Sequence, residues 1–257
     1  MLGFNTIFIY IFIYSVLGWA CETVYCGICE GKITNRGFMY GPYCPIYGFG
    51  AFIIIIALSS FYQNPILVFL FGMILTTLLE YITSYVMEKS FGAKWWDYSH
   101  MPFNINGRVC LLNSVIFGLL GLFVIYILHP QVEKFVGWIP QNYISSIVLG
   151  LVVLVMIDFM STLNTVLNLK KKLAQIKDIT ATIAKNKAIQ FENLELVIQL
   201  EELKKNLLEK GSIFHTRILK AFPNIEFKKF DMSLNELKME LHKRQFAKSL
   251  KKKAKKM

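Results

Sequence analysis

The chain has 257 residues, 54% of them hydrophobic, and a mean hydropathy of +0.46; its repeated apolar runs of about 20 residues exclude an ordinary soluble domain and mean membrane helices. Its net charge of +11 is uneven: 22 of the 28 Lys and Arg and 10 of the 17 Asp and Glu fall from Lys170 onward, leaving 6 basic and 7 acidic residues before it. That divides the chain into a near-neutral membrane part, residues 1–169, and a basic part, residues 170–257, whose charge suits an anionic membrane surface better than nucleic acid.

Five spans are predicted, at about 4–28, 42–62, 65–87, 109–129 and 142–168. The first lacks a positively charged lead-in and is long enough to span, so it reads as structure rather than a removable signal. Lys and Arg alternate between the connections. Lys32 and Arg36 follow the first span, and Ser59–Asn64 after the second has none. Lys89, Lys94 and Arg108 follow the third, Lys134 alone the fourth, and Lys170, Lys171 and Lys172 the fifth. The positive-inside rule then predicts a multi-pass cell-membrane protein with its N-terminus outside and its C-terminus in the cytoplasm. A re-entrant half-span within 33–50 is the competing arrangement.

Between the first two spans lies Asn35–Gly50, NRGFMYGPYCPIYGFG, with four glycines and two prolines. Pro lacks the N–H that a helix interior needs, and Gly costs backbone entropy, so this stretch cannot be a regular helix. Irregular backbone at membrane depth survives only where protein covers it or where it lines a cavity. At the same depth fall Glu22 in span one, Glu80 in span three, Asn113 at the start of span four and Asp158 in span five. Ionisable groups in spans face the bundle interior and one another. The pattern predicts one polar cavity opening to the cytoplasm, with Asn35 at its lip. Arg36 and Arg108 are the cationic counterparts of Glu22, Glu80 and Asp158. In the competing reading these acids only reach for the interface, which short side chains do poorly.

The loop Lys89–Arg108, KSFGAKWWDYSHMPFNINGR, is aromatic in a way that suits a headgroup layer. Asp97, Asn104, Asn106 and Arg108 among those rings read as a seat for phosphate or carboxylate. An internal Asp97–Arg108 salt bridge explains them equally well. Cys21, Cys26 and Cys29 have C-x4-C-x2-C spacing, but on an apolar helix they read as small core residues rather than cluster ligands. The four histidines (100, 129, 215 and 242) have no metal spacing. No metal, cofactor or catalytic residue is assigned. Without G-x-x-x-x-G-K-[ST], any ATP hydrolysis needs a separate subunit; G-x-S-x-G and H-E-x-x-H are also absent.

Beyond Leu169, the residues Leu173, Ile176, Ile183, Leu194, Val197 and Leu200 recur at helical or heptad intervals. They predict a long helix continuing span five to near Gly211, with coiled-coil character interrupted at Lys187 and Gln190. Ser212 caps a short helix stopped by Pro223, and Ser233 with Glu236 forms a capping box for a last helix carrying Leu234, Leu237 and Leu241. The final KKKAKK suits anionic lipid or RNA, and a merely solvated tail explains it as well.

Four segments, FIYSVLGWACETVY (12–25), NRGFMYGPYCPIYGFGA (35–51), TTLLEYITSYVMEKSFGAKWWDYS (76–99) and PFNINGRVCLLNS (102–114), resemble the bacterial membrane family described as Putative ABC-transporter type IV. RILKAFPNIEFKKF (217–230) resembles that family's tail. The resemblance implies a permease-type component working with a separate ATPase. It draws attention to Glu22, Asn35, Arg36, Glu80, Asp97, Asn104 and Arg108, positions that spacing also singles out. The expected fold is an all-α polytopic membrane bundle followed by cytoplasmic helices. Five spans are few for a complete pathway, so a homodimer or a partner subunit is expected. Two other readings remain open: an enzyme acting on lipid headgroups with Glu22 or Glu80 as acid or base, and a non-catalytic scaffold.

Overall fold

The computed structural model describes residues 3–31, 34–188, 194–209 and 213–254. All five predicted spans are helical. Four helices are long and apolar enough to cross a membrane: α1 (Phe4–Glu30), α3 (Pro65–Phe91), the run Leu111–Gly137, and α6 (Gln141–Ala188). The fifth, α2 (Pro45–Leu58), continues through a 3-10 turn at Ser59–Phe61. From Pro45 to Phe61 it reaches about 25 Å, short of a hydrocarbon layer of about 30 Å. It starts three residues later than predicted, because Pro45 fits a first helical turn while Pro42 stays in the irregular loop.

The run Leu111–Gly137 comprises α4 (Leu111–Phe123), a π turn (Val124–Leu128) and α5 (His129–Gly137). The predicted span ended at His129, one residue before Pro130. The wide turn just before it absorbs the proline, so the helix carries on. A second correction concerns the C-terminal part. No single helix runs to Gly211. α6 ends at Ala188, and α7 (Leu194–Glu209) returns along it, so that Leu208 packs beside Leu169 and Leu173 of α6. α8 (Ile213–Ala221) ends before Pro223, as expected. α9 (Asp231–Ala254) starts two residues before Ser233, whose side chain is buried in the first turn. Glu236 pairs instead with Lys204 of α7, at 2.8 Å. Lys32, Gln190, Gly211 and Ser212 lie outside the described residues, as do the side chains of Cys29, Lys187, Leu194 and the terminal lysines.

Up-and-down order brings the loop before α2 and the segment after α3 to one end of the bundle, where the C-terminal helices also lie. The segment after α3 forms a short antiparallel hairpin, β1 (Asn104–Ile105) with β2 (Val109–Cys110). Its start is bridged to the chain beyond α8: Lys94 N donates to Glu226 O (2.8 Å) and Glu226 N to Lys94 O (2.9 Å). One apolar core unites this end, joining Trp95, Leu169 and Leu173 to Ile218, Phe227 and Leu237. A second core, at the opposite end, joins α1, α5 and α6 through Tyr10, Tyr14, Val132 and Ile144.

Candidate functional site

The irregular loop keeps its shape because its own Asn35 and side chains from α6 and α8 satisfy its backbone. Asn35 Oδ1 accepts from Trp19 Nε1 of α1 (2.8 Å) and from Gly37 N (3.1 Å), and Asn35 Nδ2 donates to Tyr40 O (3.0 Å). Asp158 of α6 accepts from Tyr40 N (2.8 Å), Gly41 N (2.7 Å) and the Tyr43 hydroxyl (2.6 Å). Carboxylate bonds to backbone N–H groups are among the stronger ones. They explain how the loop stays non-helical next to apolar spans.

Close backbone contact between α1 and α2 sets the next layer. A Cβ at Gly48 would lie 2.2 Å from Ile11 O and from Ser15 Oγ, so only glycine fits there. The same approach lays Tyr47 against Gly18 and brings it beside Glu22. Glu80 enters from α3 and is only 6% exposed. Its Oε1 accepts from the Tyr98 hydroxyl at 3.3 Å, and its Oε2 is buried with no hydrogen-bond partner among the described residues. Tyr98 also lies within electrostatic reach of Glu22, Tyr47 and Cys110, and Tyr47 of Cys44. Glu22 and Glu80, from separate spans, thus lie in a neighbourhood shared with Tyr47 and Tyr98. Burial first, and then the Glu80 carboxylate, push the Tyr98 hydroxyl well above its ordinary range, so it is a hydrogen-bond donor.

The other predicted residues have other surroundings. Arg36 is within electrostatic reach of Glu22, and its Nη1 donates to Ala221 O at the end of α8 (3.1 Å). Arg108 does not pair with Asp97. It pairs with Glu88 at 2.6 Å and stacks over Tyr81 and Tyr85. The Glu88 carboxylate, its strongest influence, raises its basicity further. Asp97 pairs with Lys94 at 2.5 Å and accepts from Ser99 Oγ, also at 2.5 Å. Asn104 closes the hairpin, donating to Met101 O (2.7 Å) and accepting from Gly107 N (3.0 Å). Gly107 has φ +64°, and a Cβ there would meet Asp97 Oδ1 at 2.4 Å. Asn113 is half-buried in the first turn of α4 and has no side-chain hydrogen bond among the described residues.

Sequence reading passed over Arg217. Its guanidinium donates to the carbonyls of Gly37 (3.1 Å), Phe38 (2.8 Å) and Met39 (2.8 Å) and stacks 4.3 Å over Tyr40. Arg36 and Arg217 therefore cross-tie the loop and α8. A signal existed, since Arg217 opens the segment RILKAFPNIEFKKF. Among the described residues no group of three or more His, Cys, Asp or Glu could hold a metal ion.

Residues 9–163 match the model of a family described as Putative ABC-transporter type IV. That match takes in every predicted site residue and stops short of α7, α8 and α9. No curated protein and no solved structure matches the chain.

Proposed function

Because the chain belongs to the Putative ABC-transporter type IV family, and so is a transporter-related membrane protein, we propose that it is a permease-type component with a polar site at Glu22, Tyr47, Glu80 and Tyr98. In this reading residues 1–169 form the membrane domain, and residues 170–257 a cytoplasmic region that packs over the site. The alternation of basic connections puts the N-terminus outside. The observation that carries the reading is Glu80: a carboxylate inside a span, almost fully buried, with one oxygen unsatisfied. Leaving such a group without a partner costs free energy, and ionisable groups retained within spans mark substrate or ion pathways. Asn35, Asp158 and Arg217 serve that site by fixing the loop beside it. Energy comes from a separate ATPase, and a second copy completes a pathway that five apolar helices are few to enclose. The headgroup-enzyme reading has less support, because the Arg108 guanidinium is committed to Glu88.

The test is affinity purification of the full chain from its native membrane, followed by mass spectrometry. A P-loop ATPase is expected in amounts comparable to the chain. Recovery of the chain without any ATPase, under conditions that keep other transporter complexes intact, would remove the permease reading.

A further inference from the structure

Of the four long helices, α6 is the least covered by the rest of the chain, with only 11% of its apolar stretch buried. In its membrane half it packs against α1 and α5 through Ile144 and Val148. The opposite face is bare, and it carries a regular seam. Ser146, Val153, Met160 and Leu167 recur every seven residues and are exposed. Gly150, Ile157 and Asn164 lie between them, also seven apart and also exposed. Steps of four and three in alternation are the a/d pattern of a two-helix seam, with Gly150, Ile157 and Asn164 at a. From Ser146 to Leu167 the helix rises about 32 Å, the depth of a hydrocarbon core of about 30 Å.

Two members of the seam have no use within one chain. A Cβ at Gly150 would meet nothing within 4 Å, so no neighbour in the chain requires a glycine there. Glycine inside a helix is destabilising against alanine, and on membrane helices small residues let a second backbone come close. Asn164 Oδ1 accepts from Asn168 Nδ2 at 3.2 Å, while Asn164 Nδ2 has no partner among the described residues. Toward lipid, an unmet amide donor costs free energy. A groove of about 560 Å³ flanks the seam, between Tyr40 of the irregular loop and Leu154, Ile157 and Ser161 of α6. Side chains of an incoming helix have a place in it.

We infer that α6 pairs with α6 of a second copy, across a two-fold axis along the membrane normal. Copies inserted in one orientation are parallel, which sets each a position opposite itself. Asn164 is the self-complementary member, since the amide N–H of one copy meets the amide oxygen of the other. A single Asn at an a position selects an in-register pair, and polar side chains join helices across lipid. Acyl chains alone cover the apolar part of the seam but leave that donor unmet. The permease reading needs a second copy, but the pairing does not rest on that reading: cross-linking reports the pair whether or not an ATPase purifies with the chain.

The experiment uses the full chain in its own membrane, with native cysteines replaced. Ile157→Cys and Met160→Cys should each form disulfide-linked dimers on oxidation with copper phenanthroline. Phe159→Cys is as open to lipid but lies off the seam, and should link about tenfold less. Linking at Phe159→Cys equal to or above that at Ile157→Cys, or no linking at any of the three, would overturn this face. A second measurement keeps the native cysteines. Asn164→Leu preserves the fold, because the side chain bonds only Asn168 of the same helix. Native mass spectrometry from a mild detergent should show its dimer dissociation constant raised about fivefold over wild type, the equivalent of about 1 kcal/mol for one interhelical bond. An unchanged constant would overturn the pairing through Asn164.

Discussion

Asp97 keeps its charge in a half-buried loop between Trp95, Trp96 and Tyr98. Burial alone would raise its carboxyl, but Lys94 and Ser99 outweigh that and hold it at about 2, against an ordinary 3.8. A carboxyl held low in the folded state stabilises above its ordinary value and loses that contribution as pH falls through the folded value. Thermal melting of wild type against Asp97→Asn should therefore show a stability difference that shrinks between about pH 4 and about pH 2. A difference that does not change with pH would mean Asp97 acts through shape alone. At this scale the sequence showed which residues are polar at membrane depth, but not where their side chains are committed. Glu22 and Glu80 each face a tyrosine from another segment, Tyr47 and Tyr98. Asp158 shares their depth, yet its oxygens go to backbone N–H groups more than a hundred residues away in sequence. Arg108 chooses Glu88 rather than Asp97 for the same kind of reason, a partner set by tertiary contact.

The five apolar helices were legible, because apolar length is a strong local signal. Helix ends were less so where two local rules competed. The fourth span was placed to end at His129, and the helix runs on through a π turn past Pro130; Ser233 and Glu236 argued for a cap, and packing drew the start of α9 back to Asp231. The fold-back of α7 rests on contacts with α6 and α9 that no local pattern announces. Glycines provide a test at this scale. Membrane helices pack through small residues that let backbones approach. Gly48→Ala forces a Cβ onto Ile11 O and should destabilise the purified protein by about 2–3 kcal/mol. Gly150→Ala meets nothing within 4 Å and should leave stability unchanged or raise it by up to about 1 kcal/mol. Differential scanning fluorimetry of both variants in one detergent checks the contrast, and equal melting temperatures would show that α1 and α2 do not touch at Gly48.

For the molecule as a whole, charge asymmetry and apolar runs foretold a membrane bundle with a basic extension, and the two prove to be one packed body at their shared end. Arg36 and Arg217 exchange bonds across residues far apart in sequence, and Lys94 and Glu226 pair backbones. Composition could not show that junction, since it counts charges without placing their partners. Orientation has a separate test. With native cysteines replaced, Gln63→Cys in the exposed turn before α3 should react with an impermeant maleimide on intact cells. Reaction only after lysis would invert the topology.

The most direct measurement is ATP hydrolysis by the chain reconstituted with the ATPase that purifies with it, comparing Glu80→Gln with Glu133→Gln, an exposed acid at the opposite end of the bundle. The account predicts a fall of about tenfold or more for Glu80→Gln, the equivalent of about 1.4 kcal/mol, with Glu133→Gln near wild type and both variants inserted normally. Wild-type hydrolysis in Glu80→Gln would contradict it.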